Sequence, residues 1–197
     1  MILKIAQYIK TLTLLILATG FAMNLFAQAD PLHLAQQKDY IGPTEPKVIK
    51  KLEQWQDLKF GLMLTWGPYS QWGVVEGWSI CNEDWIQRRN GRFENYDLYK
   101  IDYANLKNTF NPDKFEPEKW AKAAKAAGMK YVLGMAKHHD GFAMWDTKTT
   151  DYKITDKECA FSEDPRADVL KEILTAFNKE DFWSGIYFSK ADIKGNT

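Results

Sequence analysis

With 197 residues, 45% hydrophobic and 26% charged, the chain is too apolar for a disordered segment and has room for one domain or part of a larger one. Lys plus Arg and Asp plus Glu each total 26, which argues against the basic face that a general nucleic-acid binder needs. Aromatic residues make up 14%, with eight Trp, and such rings suit either an aromatic core or the apolar faces of sugar rings.

Residues 1–29 read as a secretory signal peptide. Lys4 and Lys10 form a positive n-region, Leu12 to Phe26 is a largely apolar run, and Ala27-Gln28-Ala29 is a small-x-small cleavage signature. Cleavage is expected after Ala29, or after Ala27. The alternative is an uncleaved anchor, for which the apolar run is short. The mature chain, residues 30–197, is expected to be secreted or periplasmic, slightly acidic, and free of membrane association. Cys81 and Cys159 are the only cysteines; a pair this far apart reads as free buried thiols and is too few for a structural zinc site.

The spacing predicts a first helix from Thr44-Glu45-Pro46 to Asp57, with Val48, Ile49, Leu52 and Trp55 on its apolar face. Lys59 to Trp66 is the first strand, continuous enough in apolar residues to be buried on both faces. Gly67-Pro68 stops it. A long loop, Tyr69 to Trp85, carries Trp72, Trp78, Trp85, Glu76, Glu83 and Asp84, and is either functional or packed under another element. Gln87 to Phe110 is expected to be irregular, with a short helix near Tyr103 to Asn108. A clearer helix starts at Pro117, with Trp120, Ala123, Ala124 and Ala127 on one face and Gly128 as its cap.

Lys130 to Lys137 is the second strand, and His138-His139-Asp140-Gly141 turns the chain at its end. Thr147 to Glu163 reads as a polar loop. Asp164-Pro165 is expected to start a helix whose buried face is Val169, Leu170, Ile173, Leu174 and Phe177. Phe182 to Ser189 is the third strand. Alternating helices and strands imply a parallel sheet with right-handed crossovers. Long loops at the carboxyl ends of the strands are the pattern of a (β/α)8 TIM barrel, and ligands bind at that rim. A barrel needs about 200 to 250 residues or more, so the chain is expected to hold only about the first three βα units.

Two adjacent histidines on such a rim do not make a metal site, because neighbouring imidazoles cannot easily face one ion and no HExxH spacing occurs. They suit sugar hydroxyls, since imidazole both donates and accepts hydrogen bonds. The alternative for either one is a hydrogen-bonded core residue that supports the loop.

Phe60-Gly-Leu-Met-Leu-Thr-Trp-Gly-Pro-Tyr-Ser70 resembles the first-strand motif of family 29 glycoside hydrolases, the α-L-fucosidases. Phe115 to Phe142, with Gly128-Met-Lys-Tyr131 and Lys137-His-His-Asp-Gly-Phe142, resembles the second βα unit of that family, and Ala167 to Glu172 with Gly185 to Ser189 the third. The resemblance spans about residues 44 to 190. It implies a retaining exo-glycosidase releasing L-fucose from a fucosylated glycan or oligosaccharide. It implies that His138 and His139 hold sugar hydroxyls, that Trp66 lies beside the sugar, and that Glu76 and Trp78 match a Glu-Trp pair, here separated by Gly77. Thr65 stands where the family usually has His, which alters one hydroxyl contact.

Retaining hydrolysis needs two carboxylates about 5 Å apart. The resemblance places the nucleophile on a later strand, beyond Thr197, so no catalytic residue is assigned here; Asp140, in a turn, and Asp146 are not given that role. No cofactor is implied. The expected function is therefore the N-terminal part of an α-L-fucosidase-like hydrolase, inactive alone. The alternatives are a non-catalytic sugar-binding protein on the same scaffold and a truncated product without function.

Overall fold

A computed structural model describes residues 41–81, 86 and 95–193. The signal segment, Glu83, Asp84 and Trp85 lie outside the described residues. The chain divides into two units, residues 1–52 and 53–197. Helix α1 (Pro46–Asp57) crosses that boundary and has the expected bounds, but no residue in it is buried. Val48, Ile49, Leu52 and Trp55 are all exposed rather than buried as predicted, though the Trp55 ring lies 6.2 Å from that of Tyr131, centroid to centroid.

The second unit is built on a three-stranded sheet, β1 (Gly61–Met63), β2 (Tyr131–Lys137) and β3 (Trp183–Phe188), in the order β1-β2-β3. Both pairings are parallel, with Tyr131 opposite Gly61 on one side and Trp183 on the other. Between the strands lie α2 (Tyr96–Ala104), α3 (Pro117–Ala126) and α4 (Val169–Lys179). The parallel α/β order read from the sequence is present. β1 is shorter than expected, because the chain leaves the ladder after Leu64 donates to the Leu133 carbonyl at 3.0 Å.

Burial of the sheet is uneven, deepest along β2. Val132 and Met135 pack with Val169, Ile173 and Phe177 of α4 in the main core. Met63, Trp183, Ile186 and Phe188 are exposed, so the first strand is not buried on both faces as its apolar sequence predicts, whereas β2 is buried at every residue from Gly134 to Lys137. The reason is local: α4 is in contact with β2 and β3, and α3 with α4, which builds the core around the helices.

The helices start and stop by chemistry carried in the sequence. α3 ends in a Schellman motif: Gly128 at φ +85° lets Met129 N–H donate to the Ala124 carbonyl and its own N–H to Lys125, both at 3.0 Å. Its buried residues are Pro117, Ala121 and Ala124, so Ala123 and Ala127 face outward, a rotation of the predicted face. α4 begins at Val169, later than the Asp164-Pro165 start, because Asp168 is the cap and accepts from Lys171 N–H at 3.2 Å. Asp164 instead closes its own turn onto Arg166. α2 starts earlier than the helix expected near Tyr103. Asn95 caps it, accepting from Asp97 and Leu98 N–H at 3.0 and 3.2 Å, and Tyr99 and Tyr103 lie on its buried face.

The segment 147–163 is not a polar loop on the surface. It buries Tyr152, Ile154, Cys159 and Phe161 in the main core, through a succession of turns. Cys159 is buried and Cys81 is half-buried, and no disulfide is formed among the described residues. Among the described residues no helix is long and apolar enough to cross a membrane.

Candidate functional site: the turn after β2

The parallel ladder carries β2 up to Lys137, where the register with β3 shifts between Met135 and Lys137. Such an irregularity re-aims the side chains that follow it. His138 to Gly141 then close a turn, with Gly141 N–H donating to the His138 carbonyl at 3.1 Å. The turn is locked from inside by Asp140. Its Oδ1 accepts from Phe142 N–H at 3.1 Å and its Oδ2 accepts from the Tyr103 hydroxyl of α2 at 2.7 Å. Asp140 is almost fully buried, and burial pushes its carboxyl up to about 6 against the two hydrogen bonds that favour the carboxylate.

His138 is also buried, and its Nε2 lies 2.9 Å from Glu76 Oε2. Its ring stacks on Tyr187 of β3 with centroids 5.7 Å apart and planes 12° apart, and meets the edges of Tyr69 and Trp78. Burial, then the neighbouring His139 and Lys137, hold its imidazolium down at about 4, so at neutral pH the ring is uncharged. His139 is half-buried; its Nδ1 lies 2.8 Å from the Ala191 carbonyl and its ring lies 4.3 Å from the Trp78 indole, centroid to centroid.

Glu76 and Trp78 come from a 3-10 turn, Glu76–Ile80, in the loop after β1. The intervening Gly77 does not part them from the histidines. A Cβ at Gly77 would lie 2.7 Å from both His138 Nδ1 and the Asp140 backbone nitrogen, so glycine is what lets this turn seat on the histidine turn. Glu76 itself is held at φ +46°, a left-handed conformation that costs a side-chain-bearing residue about 1 kcal/mol.

The chain beyond β3 folds back over the same turn. Ser189 N–H donates to the Lys137 carbonyl at 2.9 Å and Ile193 N–H to the His139 carbonyl at 2.8 Å. Lys137 Nζ pairs with Asp192 and lies 4.9 Å from the Phe188 ring centroid. Of the predicted site residues, His138, His139, Glu76 and Trp78 are thus brought together. Trp66 is set differently: its half-buried indole packs edge-on against Phe110, Phe115 and Trp120, with centroids 5.5 to 5.9 Å away, at the margin of the core. It reaches the histidine side only as one wall of a narrow crevice shared with Tyr69, His138 and Asp140. Asp146 lies on the surface, bonded to Lys153 and Thr155 at 2.9 Å, and the Lys153 ammonium holds its carboxyl low. Among the described residues no group of three His, Cys, Asp or Glu could hold a metal ion.

Sequence reasoning missed Tyr103, Tyr69 and the 189–193 segment. Tyr103 had a signal, the Asn95 cap followed by tyrosines at helical spacing, whereas the backbone bonds of residues 189–193 carry no side-chain signature.

An α/β chain whose strand-end turn gathers imidazoles, a carboxylate and an indole is the class that fold and site define, and similarity narrows it. The α-L-fucosidase family profile matches residues 27–197. Tissue α-L-fucosidase of Bos taurus is 31% identical over 179 residues, covering 89% of this chain and 37% of the relative. Among solved structures, α-L-fucosidase isoenzyme 1 of Paenibacillus thiaminolyticus shows 34% identity and a TM-score of 0.54, over 71% of this chain and 28% of that one. A GH29 α-L-fucosidase of Bacteroides thetaiotaomicron, trapped as a covalent intermediate, shows 28% identity and a TM-score of 0.58, over 80% of this chain and 33% of that one. The chain belongs to the α-L-fucosidase family, glycoside hydrolase family 29. It spans about a third of the length of the curated relatives it matches.

Proposed function

We propose that residues 30–197 form the sugar-binding N-terminal part of a (β/α)8 catalytic domain in a secreted or periplasmic α-L-fucosidase that releases L-fucose from fucosylated glycans with retention. The observation that carries the reading is the convergence of Glu76, Trp78, His138 and His139 at one strand end, from segments well separated in sequence. Carboxylate and imidazole groups bind hydroxyls, and the indole supplies a face for the apolar side of a pyranose. The trapped covalent intermediate of the Bacteroides relative supports a retaining course by analogy. Retention requires a second carboxylate about 5 Å from the first. Asp140 is sealed in its turn and Asp146 is tied to Lys153, and neither is given that role; the resemblance to the family implies a nucleophile on a later strand than these three.

The experiment is release of nitrophenol from a nitrophenyl α-L-fucoside. The intact protein should turn it over, and residues 30–197 alone should not. Turnover by residues 30–197 that disappears in Asp140→Asn or Asp146→Asn would overturn the assignment of the nucleophile. Thr65, in the place of the family His, favours a second reading, a sugar-binding protein that does not hydrolyse. Binding of L-fucose by the intact protein without turnover of any α-L-fucoside would establish that reading instead.

A further inference from the structure

The His139 ring is fixed by a main-chain atom. Its Nδ1 lies 2.8 Å from the Ala191 carbonyl, and a carbonyl oxygen only accepts, so Nδ1 carries the hydrogen. Ala191 offers only a methyl side chain, which makes no polar contact. The bond is therefore only as well placed as the segment that carries it, Ser189 to Ile193. Backbone bonds pin that segment at its two ends, from Ser189 N–H to the Lys137 carbonyl and from Ile193 N–H to the His139 carbonyl. The Ile193 side chain also packs against the cluster of Tyr69, Tyr99 and Tyr103. Between the ends Lys190 and Ala191 are exposed, and the Asp192 carboxylate pairs with the Lys137 ammonium.

That pair is lopsided. The Lys137 side chain is 9% exposed and that of Asp192 45%. A buried ammonium is costly without a counter-charge, so Lys137 draws the carboxylate in, and the backbone on either side of Asp192 comes with it. The carboxylate stands 3.6 Å from the place that a Gly141 Cβ would take, so it lies against the histidine turn itself. We infer that Asp192 is a positioning residue: by pairing with Lys137 it sets where the Ala191 carbonyl stands, and so holds the His139 ring against the Trp78 indole, 4.3 Å away between centroids. A charge in the segment after β3 thereby fixes a ring at the end of β2. The effect on turnover rests on the proposed fucosidase reading; the orientation of the ring does not.

The test uses the intact protein and has two arms. In the first, histidine is labelled with 15N and long-range 1H–15N spectra are recorded, with the His139 signals assigned by their loss in His139→Asn. The parent should show one His139 tautomer, with hydrogen on Nδ1. Asp192→Asn should displace those signals toward a mixture of both tautomers, and Asp192→Glu should return most of the parent pattern. Lys190→Ala removes an exposed charge from the same segment and should match the parent. Asp192→Asn also strands the Lys137 ammonium, so Lys137→Met combined with Asp192→Asn separates positioning from instability. That double variant buries no unpaired charge, and its His139 signals should stay displaced. Parent-like His139 signals in either the single or the double variant overturn the inference. In the second arm hydrolysis of a nitrophenyl α-L-fucoside is followed. Asp192→Asn should raise KM by about tenfold, with recovery to within about threefold in Asp192→Glu. An unchanged KM in Asp192→Asn would overturn the role in the site. If the parent fails to turn the fucoside over, the enzyme reading falls, and the His139 signals alone decide whether Asp192 sets the ring.

Discussion

The hydroxyl of Tyr103 donates to the buried carboxyl of Asp140 at 2.7 Å, which joins α2 to the turn that carries both histidines. Tyr96 of the same helix donates to the Ile80 carbonyl at 2.6 Å, so two tyrosine hydroxyls tie α2 to the site. Tyr103→Phe removes the donor and leaves a buried carboxyl with a single hydrogen bond from Phe142. The expected cost is about 1 to 3 kcal/mol, read as a lower urea midpoint with an unchanged slope.

The pH dependence of stability should be flatter than a chain with a buried acid would normally show. Asp140 is raised to about 6, above its unfolded value, so its contribution is fully present below about pH 4 and is lost as pH rises through 6. His138 is depressed to about 4, so its contribution is present above about pH 6.5 and is lost as pH falls through 4. The two slopes are opposite over one window and offset each other. Asp140→Asn removes the first and should unmask the second, giving stability that rises between pH 4 and 7 by an amount on the order of 3 kcal/mol. Urea midpoints of parent and variant across that range are the check, and parallel profiles would refute it.

Gly77→Ala should disturb the site more than a surface glycine would. The new methyl would stand 2.7 Å from His138 Nδ1 and from the Asp140 backbone nitrogen, and neither can retreat, since one is stacked on Tyr187 and the other is fixed in the turn. The expected loss is about 1 to 3 kcal/mol of stability and, on the proposed sugar-binding reading, weaker L-fucose binding measured by calorimetry. Gly73, where an added Cβ would meet nothing within 4 Å, is the control: Gly73→Ala carries only the strain of its positive φ and should leave binding unchanged.

Asn95→Ala should cost about 1 kcal/mol by removing the cap of α2, and Asn95→Asp should restore most of it. Because Tyr103 rides on that helix, amide exchange at the histidine turn should quicken in the Ala variant and recover in the Asp variant.

The parallel order of strands and helices could be read from the sequence because the first two strands are apolar runs closed by Gly or Pro, and the helices between the strands carry their own start or stop chemistry. The histidine turn was legible for the same reason, as titratable residues directly following an apolar strand. What could not be read depends on packing. The 147–163 segment looks polar because its buried residues, Tyr152, Ile154, Cys159 and Phe161, are scattered among charged ones without a regular period. Trp66 matched a motif, but only the positions of Phe110, Phe115 and Trp120 determine where its ring turns. The Glu76 pairing needed the third dimension too, since Gly77 breaks the expected spacing and yet is the residue that permits the contact.

The spatial order β1-β2-β3 repeats the order of the chain, and every pairing is between consecutive strands. A ribosome delivering this polypeptide therefore releases β2 and β3 each when the strand before it, already made, is its partner. The turn after β2 is completed only when residues 189–193 arrive, so the imidazoles take their final orientation as the last step of that sequence. At that moment Ile186 and Phe188 are the growing front, exposed and apolar, and a nascent chain halted there presents the surface that holding chaperones bind.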